Sequence, residues 1–222
     1  YENRDKLCVQ YGCKAYDSYE DMLDCPDIEV IDICVPSHLH EEFAIKAAQA
    51  RKHILLEKPI AMDLAAATRI VETAKQNNVR LMVGQTMRFW PEYVKIKEIY
   101  DQGILGEVKS VYAARLCQEP NWDDGWYKDP TKSGELMLNL TLHDIDFLHH
   151  LLGSAESVYS VGAKDVHGGY NDIKNIFRFK NGTFAMVDGS LTMTPGYPFT
   201  MVCRLDGTEA NLEFVFKAGV NL

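Results

Sequence analysis

The feature that most constrains this chain is a change of hydrophobic rhythm near residue 88. Before it, short apolar runs alternate with helical patterns. Val30-Ile31-Asp32-Ile33-Cys34-Val35, His53-Ile54-Leu55-Leu56-Glu57 and Arg80-Leu81-Met82-Val83-Gly84 read as strands. The Ala-rich segment from Glu41 to Ala50 separates the first two. Between the second and third, Asp63 is placed to cap a helix in which Leu64, Ala67, Val71 and Ala74 recur at spacings of three and four. This β-α-β-α-β order predicts a parallel sheet covered by helices, with right-handed crossovers. Past residue 88 come a helix near Glu92 to Tyr100, a long strand from Glu107 to Cys117, a polar aromatic loop from Gln118 to Ser133 and an apolar helix from Leu136 to Leu152. The remainder reads as antiparallel strands, with Asn181-Gly182 and Asp206-Gly207 as hairpin turns. The expectation is an α/β chain in two units, 1–88 and 89–222, the second an α+β domain with an open, mainly antiparallel sheet.

Composition narrows the function classes. No run approaches the roughly 18 to 20 apolar residues of a membrane span, and the chain does not open on a basic stretch followed by an apolar core. Thirty-two acidic against 23 basic residues give a net charge of −9, which repels phosphate backbones, so no nucleic acid and no membrane partner is expected. Cys8, Cys13, Cys25, Cys34, Cys117 and Cys203 form no Cys-x-x-Cys pair and read as reduced thiols of a cytoplasmic protein, with Cys34 a small buried hydrophobe.

Ligands of an open parallel sheet bind just beyond the carboxyl ends of its strands. That rule selects Pro36, Ser37, His38 and His40 after the first strand, Glu57, Lys58 and Pro59 after the second, and Gln85 and Arg88 after the third. Lys58 is the sharpest: at the end of a buried strand and fixed by the following proline, it sits where desolvation lowers its pKa and makes it a proton donor or a precise hydrogen-bond donor. The alternative is a plain ion pair at the sheet edge. A second constellation lies on the Leu136–Leu152 helix, where Asn139, His143, Asp146 and His150 fall four, three and four apart. Short Asn, His and Asp side chains suit a pocket better than a solvated stripe, and His143 suits general acid-base work. His38, His40 and Glu41 are too few for a metal site, and no metal is expected. Trp122, Trp126 and Tyr127, beside Asn121, Asp123 and Asp124, read either as a stacking surface for a sugar or as loop anchors.

Taken together, the Ile31-to-His40 run, Glu57-Lys58-Pro59, Val83-Gly84-Gln85 with Arg88-Phe89, and Leu142-His143-Asp144-Ile145-Asp146 resemble, in order along the chain, the Gfo/Idh/MocA family of oxidoreductases. The resemblance implies a Rossmann domain over 1–88 and a substrate-binding, oligomer-forming α+β domain over 89–222. It implies NAD or NADP as cofactor and a hydride transferred to or from a hydroxyl or carbonyl carbon of a sugar, cyclitol or related polyol. It carries Lys58 onto the lysine at the nicotinamide ribose and reacting oxygen, His143 onto the acid-base position, and Pro36, Ser37, His40, Glu57, Lys58, Gln85 and Arg88 onto cofactor-lining positions. Lys58, Trp126, Asn139 and His143 fall on the substrate side. A homo-oligomer through the C-terminal sheet is the family's common assembly.

Two departures shape the expectation. Many members hold an aspartate where this chain has Asn139, which keeps catalysis by Lys58, His143 and Asn139 as one reading and a non-catalytic relative that senses a dinucleotide or sugar as the other. The family's Gly-x-Gly-x-x-Gly turn has no counterpart in the sequence. The chain therefore reads as the middle of a longer one, lacking the central first strand, with a split sheet and exposed apolar edges expected.

Overall fold

The computed structural model of the protein describes residues 2–119, 126, 129–166 and 168–218. Helix α1 (Glu2–Tyr11) leads into α2 (Tyr19–Asp24), whose first turn is closed by the Ser18 hydroxyl accepting from the Asp21 N–H at 3.0 Å. Then follow β1 (Val30–Ile33), a 3₁₀ turn (Ser37–Leu39), α3 (His40–Gln49), β2 (His53–Leu56), α4 (Leu64–Gln76) and β3 (Leu81–Val83). The strands pair in parallel in the order β1-β2-β3. Asp63 caps α4, its carboxylate accepting from the Ala66 N–H at 2.8 Å. Strand alternation buries Ile31, Ile33, Ile54 and Leu56 on one face. Ala44, Ala47 and Ala48 of α3 and Ala66 of α4, with almost no side chain to hold them off, pack onto it.

A second 3₁₀ turn (Thr86–Arg88) precedes α5 (Pro91–Asp101), with Pro91 in the first helical turn, where its missing N–H costs nothing. Next come β4 (Val108–Leu116), the short α6 (Pro130–Ser133), a π-helical turn (Met137–Thr141), α7 (Leu142–Leu152), and strands β5 (Ala155–Lys164), β6 (Tyr170–Phe179), β7 (Phe184–Ser190), β8 (Thr200–Gly207) and β9 (Asn211–Lys217). They form one mixed sheet, β5-β6-β7-β4-β8-β9, antiparallel throughout except for the parallel β4–β7 pair. Helices α5 and α7 cover one face, where Tyr93 meets Phe147 edge-on at 4.8 Å and both are buried with Val111, Val187 and Leu205. Ile176, Phe184 and Met186 stay half exposed on the alternate positions. The two sheets are tied together by Arg88, whose Nε and Nη2 donate to both carboxylate oxygens of Asp146 on α7 at 2.8 and 2.6 Å.

Several expectations change. The apolar face of α4 is Ala66, Ile70 and Ala74, while Leu64, the first residue after the cap, is 84% exposed. Cys34 is exposed rather than buried, because period-two alternation after Ile31 and Ile33 turns it to the opposite side. The sheet is not split among the described residues. Apolar exposure instead lies on its uncovered face, at Val30, Leu55 and Met82. The Leu136–Leu152 helix contains a π turn, and the predicted stripe divides its work: Asn139 and His143 line a crevice, Asp146 pairs with Arg88 and His150 is exposed. Asn181-Gly182 turns the β6–β7 hairpin with Gly182 at φ +88°. Gly207 does different work: a Cβ there would sit 2.1 Å from the Leu105 carbonyl oxygen, so glycine admits a close backbone approach.

Candidate active site

The carboxyl ends of β1 and β2 open onto a crevice of about 490 Å³. Cys34, Val35, Pro36 and Ser37 line it after β1, and Glu57 and Lys58 after β2. The opposite wall is Trp126, Asn139, Leu140 and His143. Residues eighty positions apart therefore meet because the π turn and the start of α7 lie over the strand ends.

Lys58 Nζ donates to the main-chain carbonyl of Asn139 at 2.7 Å. Among the described residues no carboxylate is in hydrogen-bond contact with its ammonium, which speaks against the simple ion-pair reading. Burial pulls the Lys58 pKa down, the Glu57 charge opposes the shift, and the Arg115 cation adds to it. Glu57 turns its carboxylate back to accept the Lys58 main-chain N–H at 3.1 Å. His143 is driven to about 3, first by burial and then by the cations of Lys58 and Arg115, and its Nδ1 is buried without a hydrogen-bond partner. Asn139 is 4% exposed, and its Nδ2 donates to the Ser133 carbonyl at 2.9 Å. The π turn widens the helix by one residue per turn at this point, a distortion that recurs at functional sites.

Not every predicted residue reaches the crevice. His40 is 1% exposed, with Nδ1 at 2.6 Å from the Pro59 carbonyl and Nε2 at 3.0 Å from that of Val35. Its ring braces the two loops that shape the crevice and has no nitrogen left for a cofactor or a metal. Arg88 is likewise withdrawn, because Asp146 engages it through both carboxylate oxygens. His150 is exposed near the end of α7, beside Arg88 and Asp146, and does not line the crevice. Gln85 is at the end of β3, and its Oε1 is buried without a partner. Pro36, Ser37, Glu57, Lys58, Trp126, Asn139 and His143 converge as expected. Trp122, Tyr127, Asn121, Asp123 and Asp124 lie outside the described residues. Among those described, no group of three His, Cys, Asp or Glu could hold a metal ion.

Sequence reasoning missed the pair beneath the site. Arg115 on β4 donates through Nε and Nη2 to Asp144 at 2.8 and 3.0 Å, with side chains 3% and 1% exposed. Asp144 directly follows His143, so the pair anchors the start of α7 to the sheet. A signal was present: Val111, Ala113 and Arg115 share the inward register of β4, and a cation in that register demands a buried anion.

The residues present fit the nicotinamide end of a dinucleotide. The strand-end loops with Ser37, Glu57 and Lys58 supply donors and acceptors in the crevice, and Gln85 Oε1, buried without a partner just past β3, is a further unused acceptor. The phosphate end has no glycine-rich cradle in this sequence.

Comparison with known proteins agrees with this geometry. Residues 2–85 match the model of an oxidoreductase family with an NAD-binding Rossmann fold, and residues 93–213 match the GFO/IDH/MocA C-terminal domain. The chain is 32% identical over 187 residues to the uncharacterized oxidoreductase YrbE of Bacillus subtilis, covering 81% of this chain and 53% of that protein. It is 28% identical over 211 residues to myo-inositol 2-dehydrogenase of Thermotoga maritima, covering 88% and 59%. A solved levoglucosan dehydrogenase, in complex with NADH and L-sorbose, superposes with a TM-score of 0.88 at 25% identity over 97% of this chain and 61% of its own. The chain thus spans between half and three-fifths of the length of these relatives. With both of its sheets matched in order along the sequence, the chain belongs to the Gfo/Idh/MocA oxidoreductase family.

Proposed function

We propose that the protein is a nicotinamide-dependent dehydrogenase or reductase acting on a hydroxyl or carbonyl carbon of a sugar, cyclitol or related polyol. The observation that carries this reading is the meeting of Lys58 and His143 in one crevice at the ends of parallel strands. Residues 1–88 form the cofactor side and 89–222 the substrate side. Pro36, Ser37, Glu57, Lys58 and Gln85 hold the nicotinamide end, and when bound the nicotinamide supplies or accepts the hydride. Lys58 and His143 contact the reacting oxygen, Lys58 donating to it or taking its proton. Trp126 offers a flat apolar face for the substrate ring. NAD is favoured over NADP by the NADH-bound relative.

The sensing alternative rested on Asn139. Its side chain is engaged by Ser133 and its carbonyl holds Lys58, so an asparagine here leaves both proton-handling groups in place. Calorimetric titration of the full-length protein with NAD and NADP, followed by a panel of sugars, anhydrosugars and cyclitols read at the nicotinamide absorbance, tests the reading. Binding with turnover of at least one polyol is expected. Binding without any turnover across the panel would favour the sensor.

The assembly is a homo-oligomer through the uncovered face of the six-stranded sheet, which holds Ile176, Phe184 and Met186 half exposed. Sedimentation is expected to give more than one chain per particle, and Ile176→Lys to shift it toward monomer; a monomeric wild type refutes the assembly. Among the described residues no helix is long and apolar enough to cross a membrane. The six free thiols suit a reducing compartment, which supports a cytoplasmic location.

A further inference from the structure

We propose that Asn139 makes the proton work of the crevice one-sided: Lys58 exchanges the proton with the substrate oxygen, while His143 remains a neutral imidazole that only hydrogen-bonds to it. This deepens the oxidoreductase reading and rests on it. Asn139 acts here as a positioning residue.

The position is built for an amide. Asn139 Nδ2 donates to the Ser133 carbonyl at 2.9 Å in a buried setting. A carboxylate in the same place would set its lone pairs against those of that carbonyl and could not make the bond. The amide brings no negative charge to its neighbours. Nor, among the described residues, does any other element bring one to bear on His143. On its own helix, Asp144 is turned to Arg115 and Asp146 to Arg88. From β2, Glu57 accepts the Lys58 main-chain N–H. The charges that bear on His143 are the cations of Lys58 and Arg115, and its Nδ1 is buried without a partner. An imidazolium would be desolvated among like charges, the costly arrangement for a cation.

Lys58 is held differently. Its partner is a neutral carbonyl, Asn139 O, at 2.7 Å, and an amine and an ammonium can both donate to it. A proton can therefore arrive and leave without breaking the contact that positions the nitrogen. Burial, against the opposing charge of Glu57 and with a smaller push from Arg115, lowers the Lys58 pKa and so favours the neutral amine that a base needs. In the oxidative direction the substrate O–H bond breaks, its proton forms a new N–H bond on Lys58, and the amine becomes ammonium. The two electrons of the carbon–hydrogen bond leave as the hydride of the proposed reaction. In the reductive direction the ammonium returns the proton.

The test reads charge states in the full-length protein without cofactor, by NMR of selectively labelled histidine and lysine. The His143 ring is expected to stay at its neutral shift from about pH 8 down to 5, and Lys58 to titrate below the ordinary lysine value of about 10.4. Asn139→Asp is expected to bring a His143 titration into that window, and to add a second ionisation to the pH profile of turnover. A wild-type His143 midpoint near the ordinary value of about 6.5, or a Lys58 midpoint at or above its ordinary value, overturns the proposal. Those wild-type measurements decide even where Asn139→Asp fails to fold. A silent His143 in a folded Asn139→Asp overturns the role of Asn139. Loss of the parent reading shows separately, as no dinucleotide binding by calorimetry in a protein whose His143 and Lys58 titrate as expected.

Discussion

Lys58→Met is expected to cut turnover by roughly 10²- to 10⁴-fold, the range for losing one positioned proton-transfer group, while the folded protein keeps its stability. The substitution removes a desolvated amine and leaves an apolar chain of similar length in a site that is mostly buried. The Asn139 carbonyl loses a donor but faces the crevice wall, where water can replace it. The pH dependence has a definite sign. Oxidation needs the neutral amine, so its rate rises with pH through the Lys58 midpoint, which burial holds below the ordinary value. Reduction needs the ammonium and falls over the same interval. Steady-state rates in both directions, with melting curves of the variant, check this; a variant with near-normal turnover would remove Lys58 from the chemistry.

Arg115→Met is expected to destabilise the fold by about 3–5 kcal/mol, because it leaves the Asp144 carboxylate buried without its partner. The Asp144 side chain is 1% exposed, and each of its carboxylate oxygens accepts a hydrogen bond from Arg115. For a chain of this size the loss corresponds to a fall in melting temperature on the order of 10 °C. Replacing both partners, as Arg115→Met with Asp144→Leu, is expected to recover most of that loss, since no uncompensated charge then remains. Activity is not expected to recover with it. The double variant removes a cation that adds to burial in lowering the His143 and Lys58 pKa values, and the tie that fixes the first turn of α7. Denaturant or thermal melts of the single and double variants, compared with their turnover, separate stability from positioning. Equal stability of wild type and Arg115→Met would show that the pair carries no weight.

Much of the architecture was legible because strand alternation and helix periodicity are local. Ile31, Ile33, Ile54 and Leu56 declare an inward face two residues at a time, and Asp63 declares where α4 starts. The same alternation, followed one residue further, would have exposed Cys34. The strand-end rule found Lys58, Ser37 and Glu57, since topology alone fixes which end of a parallel sheet binds ligands. Helical spacing picked out the second constellation but could not say what each member faces. Asn139 and His143 share the crevice, Asp146, farther along α7, takes Arg88, and His150 ends exposed beside that pair, because successive turns of the helix meet different neighbours.

The amino-acid pattern by itself determined the parallel sheet, a mainly antiparallel second sheet and the candidate lysine and histidine, because each follows from the period of apolar residues or from position at a strand end; the parallel β4–β7 pairing came only with the tertiary structure. Only the tertiary structure decided what those groups face. That His40 spends both nitrogens on carbonyls, that Lys58 rests on the Asn139 backbone rather than on a carboxylate, and that Arg115 and Asp144 lie paired beneath His143 all depend on contacts between residues from 5 to 81 positions apart. Such contacts set local charge and desolvation, and these fix which group can carry a proton.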